Sequence, residues 1–199
     1  MGHQCAIGFR FDNKIKATYS HWGSQPSRPG KEISQLLSKM PAPDRGILRK
    51  RSEAIQWVSI KSKATAEDIK RYKAFARSTV IPEKLAEWDN LLFKTQGMAC
   101  LAYLLTGDLD HFIDSTSMLE NSLMCESGYI FNFDDNTLDF YAGAQTTPDP
   151  ENPFGQEIAY AFGDKSYYPC KRILQVDLAN PMSSEEWVAM INKDEYANQ

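Results

Sequence analysis

Hydrophobic and polar positions alternate with a period of two at the start of the chain. Ile7, Phe9 and Phe11 fall on one face, and Ile15, Ala17 and Tyr19 follow suit after Asp12-Asn13-Lys14. That alternation predicts a β-hairpin from strands 6–11 and 15–21. Asp and Asn suit the turn because both tolerate left-handed backbone angles. The pattern returns near residue 130, where 129–133 and 137–142 flank Asp134-Asp135-Asn136 and predict a second hairpin. Between the two the period lengthens to that of a helix. Ile33, Leu36, Leu37 and Met40 form one stripe, closed by Pro41 and Pro43, and residues 22–30, with two prolines and two glycines, read as an irregular loop before it. A helix is expected over 44–59. Another starts at Thr65, with Asp68 in capping-box position and Ile69, Tyr72 and Ala76 as its stripe. A third starts at Pro82 and carries Leu85, Trp88 and Leu92. Residues 98–106 are apolar nearly all round and predict a buried helix stopped by Gly107, with a further short helix between 110 and 124. Residues 145–156 hold three prolines and read as a loop. Segments 158–162 and 172–178 read as strands, and Ser183 with Glu186 as the capping box of a last helix.

Strands, then helices, then strands again predict an α+β fold. Its antiparallel sheet is built from N-terminal and C-terminal strands, with a helical middle segment packed on it. A chain of 199 residues is one core's worth, so residues 1–199 are read as a single domain.

Composition narrows the function classes mostly by exclusion. No apolar stretch approaches the roughly 18 residues of a membrane helix. The N-terminus lacks the basic-then-apolar pattern of a secretion signal, so a cytoplasmic protein without a membrane partner is expected. Cys5, Cys100, Cys125 and Cys170 are too dispersed for a zinc knuckle or a sequence-local redox pair and read as free, mostly buried thiols. With three histidines and no loop of alternating oxygens, no metal site is expected. Phosphate-loop, dinucleotide and Gly-x-Ser-x-Gly signatures are all missing, so no cofactor is implied. The net charge of −4 hides an asymmetry. Residues 1–107 carry 18 basic and 9 acidic side chains, and 108–199 carry 4 and 17. A basic run from Arg45 to Arg77 can mark an acidic partner, but two halves that lie together and offset each other's fields explain the split more simply. Nucleic acid is therefore not the favoured partner, and a homo-oligomer is left open.

The candidate chemistry gathers after the first hairpin. His21, Ser24, Arg28 and Lys31 stand on an irregular segment leading to a helix N-terminus, a place where backbone N–H groups and cations hold anions. Arg10 on the hairpin and late aromatic residues such as Tyr141 can complete a site for an anionic ligand with a planar group. If the chain is an enzyme, His21 is the acid or base, Cys5 or Ser24 the nucleophile and Arg28 the charge stabiliser. A free N-terminal nucleophile is excluded by Gly2, although a fold similar to the N-terminal-nucleophile hydrolases remains open.

The stretch Gly8-Phe9-Arg10, Lys14, Tyr19-Ser20-His21, Ser24, Pro26 and Gly30 resembles the start of a poorly characterised family found in phages, bacteria and fungi. Members begin Met-Gly and carry Tyr-Asn-His-x-Asp-Ser-Tyr-Pro-x-x-x-Gly after a first hairpin. The run from Tyr129 to Tyr141 resembles that family's later aromatic strand pair, and the likeness covers roughly 45 of the 199 residues. The chain departs from it at Gly23 and Gln25, where the family has Asp and Tyr, so any role of that Asp is not carried over. The resemblance implies a phage-type accessory protein acting in the host cytoplasm. Together with the basic loop it gives the leading expectation, sequestration of a small anionic nucleotide-like ligand such as a host immune signal. A phosphodiesterase or amidohydrolase acting on such a ligand, and a protein-binding inhibitor using the basic middle, are the alternatives.

Overall fold

The computed structural model describes residues 4–20 and 27–192. β1 (Cys5–Phe11) and β2 (Lys14–Ser20) pair antiparallel, with Phe11 opposite Lys14. The two loop residues, Asp12 and Asn13, have φ of 50° and 61°, the left-handed pair that a tight hairpin turn between twisted strands requires. α1 (Ser27–Lys39) begins earlier than the prolines and glycines suggest, because Pro29 sits in its first turn, where no intrahelical N–H is needed. Arg28 and Lys31 therefore stand on a helix, not on a loop. α2 (Ala42–Glu53) ends six residues before the expected boundary, and the chain enters β3 (Gln56–Val58).

α3 (Ala66–Tyr72) has the reciprocal capping box expected of Thr65 and Asp68, with backbone-to-side-chain bonds of 2.8 and 3.2 Å. The helix expected from Pro82 breaks into a single turn at Pro82–Lys84 and the short α4 (Trp88–Leu91). α5 (Ala99–Thr106) ends on Gly107 at φ 82°, as its sequence predicts. Its last carbonyls are bonded by Arg51 from α2, whose Nη1 donates to Leu104 O at 2.9 Å and to Leu105 O. In the segment expected to hold a short helix, β4 (His111–Ile113) pairs parallel with β3 and a short 3-10 helix follows at Thr116–Glu120. β5 (Ser127–Asn132) and β6 (Thr137–Ala142) form the second hairpin. β7 (Tyr160–Phe162) and β8 (Lys165–Tyr167) make a separate two-stranded ribbon. β9 (Lys171–Asp177) returns to the main sheet, and α6 (Ser184–Asn192) starts on the Ser183–Glu186 capping box.

Among the described residues the main sheet has five strands in the order β2-β1-β5-β6-β9. It is mostly antiparallel and joins both ends of the chain. The parallel pair is β1–β5, with Cys5 beside Ser127 and Phe9 beside Phe131. One sheet face carries Ile7, Phe9, Tyr129, Phe131, Leu138 and Phe140, and the helices bury it. The opposite face carries Ala6, Ala17, Ile130 and Tyr141, covered by Leu119, Cys125, Phe154 and Cys170. All four cysteines are buried thiols. The fold brings two of them together: Cys170 Sγ donates to Cys125 O at 3.3 Å. That neighbouring thiol and burial push the Cys125 thiol well above its ordinary pKa. No helix among the described residues is long and apolar enough to cross a membrane.

α1 and α6 lie together over β5 and β6, and Trp187 fixes their approach. Its ring packs 5.5 Å from Phe140 and 6.0 Å from Tyr129. A Cβ on Gly30 would fall 1.7 Å from its Nε1. Gly30→Ala should therefore cost about 1–3 kcal/mol through overpacking, read as a lower urea midpoint with an unchanged slope. A wild-type midpoint would show that the α1–α6 contact is not tight.

Candidate functional site

A cavity lies where the helical middle leaves the sheet, beside the edge strand β2. Its volume is about 500 Å³, within the range of small-molecule sites. The floor is Thr18 and Tyr19 of β2 and Phe112 and Ile113 of β4; the roof is Leu92, Phe93, Thr95 and Gln96. These elements meet because residues 114–116 clasp the outer edge of β2. Ser115 N donates to Ala17 O at 2.8 Å, Ala17 N donates to Thr116 Oγ1 at 3.0 Å, and Lys16 pairs with Asp114. Two charged residues, Arg77 and Asp89, line the chamber. The Arg77 guanidinium lies 4.0 Å above the centre of the Phe93 ring and forms no ion pair among the described residues.

His111 closes one wall. Its Nδ1 lies 2.7 Å from Asp110 Oδ1 and 2.9 Å from the Tyr72 hydroxyl, which itself donates to Asp110. Its Nε2 faces Asp68 Oδ1 at 3.9 Å, and its ring stacks on Trp88 at 5.4 Å. Arg71 completes the cluster, 2.8 Å from Asp110 Oδ2. Burial alone would raise the Asp110 carboxyl, but hydrogen bonds from Tyr72, His111 and Arg71 together hold it below its ordinary value. Burial and the adjacent Asp110 push the Tyr72 phenol up. With Asp110 bonded at Nδ1, Asp68 across from Nε2 and Trp88 stacked on its ring, His111 ties α3, α4 and β4 together. Cys100, also in the wall, is kept a thiol chiefly by burial.

A second, smaller and polar recess of about 230 Å³ shares Gln96 with the chamber. Cys5, Ser20, Arg28 and Glu32 line it with the backbone at Gly97–Ala99, next to the start of α5.

The residues expected to act together are dispersed. His21 and Ser24 lie outside the described residues. Arg28 does face the polar recess but is bonded to Glu32 at 3.1 Å, one helical turn on. Lys31 is exposed on α1. Cys5, the expected nucleophile, is 1% exposed. Arg10 and Tyr141 stand on the opposite face of the sheet, because strand alternation puts them with Ala6 and Ile130 and not with Ile7 and Phe9. Arg10 is committed to Asn13 Oδ1 at 2.7 Å and Asp134 at 3.4 Å. Tyr141 is buried against Phe154, and burial followed by Asp139 pushes its phenol up to about 12. Sequence reasoning did not single out Arg77, Phe93 or His111. The available signal was the adjacent pair Asp110-His111, which a helical reading of that segment hid.

No protein-family model, curated protein or solved structure matches this chain. What the site does must follow from its geometry.

The carboxylate cluster has a sign that can be checked. Asp110 has a folded pKa below the unfolded value of about 3.9, so its stabilisation is present above that pH and is lost as pH falls through the folded value. Asp110→Asn should lower the melting midpoint at pH 7 and flatten the acid side of the stability curve below about pH 4. A variant that keeps the full wild-type acid slope would remove Asp110 from that account.

Proposed function

We propose that the protein binds a small anionic ligand with a planar ring, of the nucleotide class, in the chamber beside β2. One observation carries this reading: an exposed arginine, Arg77, without an ion pair among the described residues lies 4.0 Å over the Phe93 ring where it lines an apolar chamber of about 500 Å³. Apolar walls suit a base, and Asp89, Thr95, Gln96 and Ser115 supply a few polar groups to orient it. Arg77 supplies the charge for a phosphate. The polar recess beyond Gln96 offers room for a second polar group. Binding is favoured over hydrolysis because Cys100, the thiol in the chamber wall, is buried and held protonated. The N-terminal resemblance, taken with this chemistry, points to sequestration of a host nucleotide signal by a phage-type protein.

A thermal-shift and calorimetric screen of linear and cyclic nucleotides tests this. At least one should raise the melting midpoint, since a ligand that binds only the folded state must stabilise it. Arg77→Ala should weaken that ligand at least about tenfold, roughly 1.4 kcal/mol, with melting unchanged. The bound ligand should be recovered chemically intact. No stabilisation at millimolar ligand, or full affinity in Arg77→Ala, would sink the reading. A cleaved ligand would replace binding by catalysis.

A further inference from the structure

The β7–β8 ribbon stands apart from the main sheet. Ile158, Tyr160 and Phe162 recur at every second residue and are 54, 44 and 69% exposed. Strand alternation puts Tyr160 and Phe162 on one ribbon face, with Tyr167 opposite Tyr160, and Ile158 stands two residues before the strand. Exposed Tyr160 and Phe162 on one face of a two-stranded ribbon, with exposed Ile158 beside its start, form a contact surface. The segment that carries them, 145–170, is acidic, with Asp149, Glu151, Glu157 and Asp164 against Lys165.

The same chain holds a complementary hole. A cleft of about 240 Å³ opens between α2 and the sheet, with Leu37, Leu48, Phe133 and Leu178 as its walls and Arg45 and Arg49 at its rim. A void of about 150 Å³ already accommodates a benzene ring, so one aromatic side chain fits. Arg45 is held by the carbonyls of Leu178 and Ala179, and Asp177 beside it is bonded to Asn136 and Asn180. Arg49 is exposed and has no ion pair among the described residues.

Knob and hole lie at opposite ends of the same two strands. The ribbon is inserted between Ala142, where β6 ends, and Lys171, where β9 begins. The cleft is bounded by Asn136 and Leu178, at the other ends of those strands. Because they join opposite ends of these strands, a second copy displaced along the strand direction brings ribbon to cleft. We infer that the chain self-associates head to tail, the acidic aromatic ribbon of one copy seating Phe162 in the arginine-rimmed cleft of the next. Such a contact is heterologous, so it propagates into rings or open chains rather than stopping at a symmetric dimer.

Sedimentation velocity of the full chain over a concentration series tests this, with two variants that block one partner each. Phe162→Ser removes the knob at an exposed position. Gly46→Leu adds a bulky side chain to the lining of the hole at a position where a Cβ meets nothing within 4 Å. Arg49→Glu tests the rim independently by reversing its charge. The wild type should grow beyond dimer with concentration, and each single variant should remain largely monomeric with an unchanged melting midpoint. An equimolar mixture of Phe162→Ser and Gly46→Leu retains one intact knob and one intact hole, and should form a one-to-one dimer and nothing larger. A wild type that stays monomeric at its highest soluble concentration assigns the ribbon to another partner and overturns the inference. So does assembly unaffected by these substitutions, or a mixture that fails to pair.

Discussion

The parallel pairing of β1 with β5 is the contact on which the rest of the molecule depends. Each strand has its other edge taken by its own hairpin partner, β2 or β6, so this one ladder fuses two local hairpins into a single sheet. Two parallel neighbours cannot be joined by a turn. The chain between them first runs back through β2 to the end of the sheet where β5 begins, since Ser20 and Ser127 both lie beside Cys5, and everything from α1 to the segment before β5 is a crossing over the sheet's face that leaves and rejoins at that end. An aromatic seam reinforces the ladder, with Phe9 5.7 Å from Phe131 and stacked 6.4 Å from Phe133. The connection buries one sheet face under helices. It leaves a chamber beside β2, whose outer edge the segment 114–116 clasps.

The charge asymmetry has its explanation in the same crossing. The basic first half and the acidic second half are woven together, not segregated. Lys16 meets Asp114, Arg10 meets Asp134 and Arg71 meets Asp110. Arg45 and Arg51 are consumed by backbone carbonyls, Arg51 by the carbonyls at the end of α5. Within the basic run, Arg45, Arg51, Lys63 and Arg71 are taken up by carbonyls or carboxylates. Arg49, Lys50, Lys61, Lys70, Lys73 and Arg77 are exposed without an ion pair among the described residues, Arg77 over Phe93 in the chamber and Arg49 at the cleft.

The parts of this architecture that were legible in the sequence are those specified by neighbours in the chain. Both hairpins, the Thr65 and Ser183 caps and the stop at Gly107 depend on residues a few positions apart, and all stand where the pattern puts them. The departures come from tertiary contacts. Residues 54–59 leave the helix because Gln56 N finds Asp110 O at 2.8 Å and β3 finds β4, a pairing across more than fifty residues. Trp88 leaves the continuous helix expected from Pro82 and packs on His111. The site suffered most, because its members come from β2, the turn after α3, the segment after α4 and β4, and no spacing rule links them. Arg10 and Tyr141 carry suitable chemistry, but the two-residue period of their strands turns them to the far face of the sheet.

The most direct test is a map of backbone amide shifts during titration with the nucleotide that most raises the melting midpoint. Binding beside β2 predicts saturable changes at Thr18, Tyr19, Arg77, Phe93, Gln96 and Ile113, with Arg10, Asp139 and Tyr141 unmoved. Changes centred on the face that holds Arg10 and Tyr141, or on neither, would contradict the placement of the site.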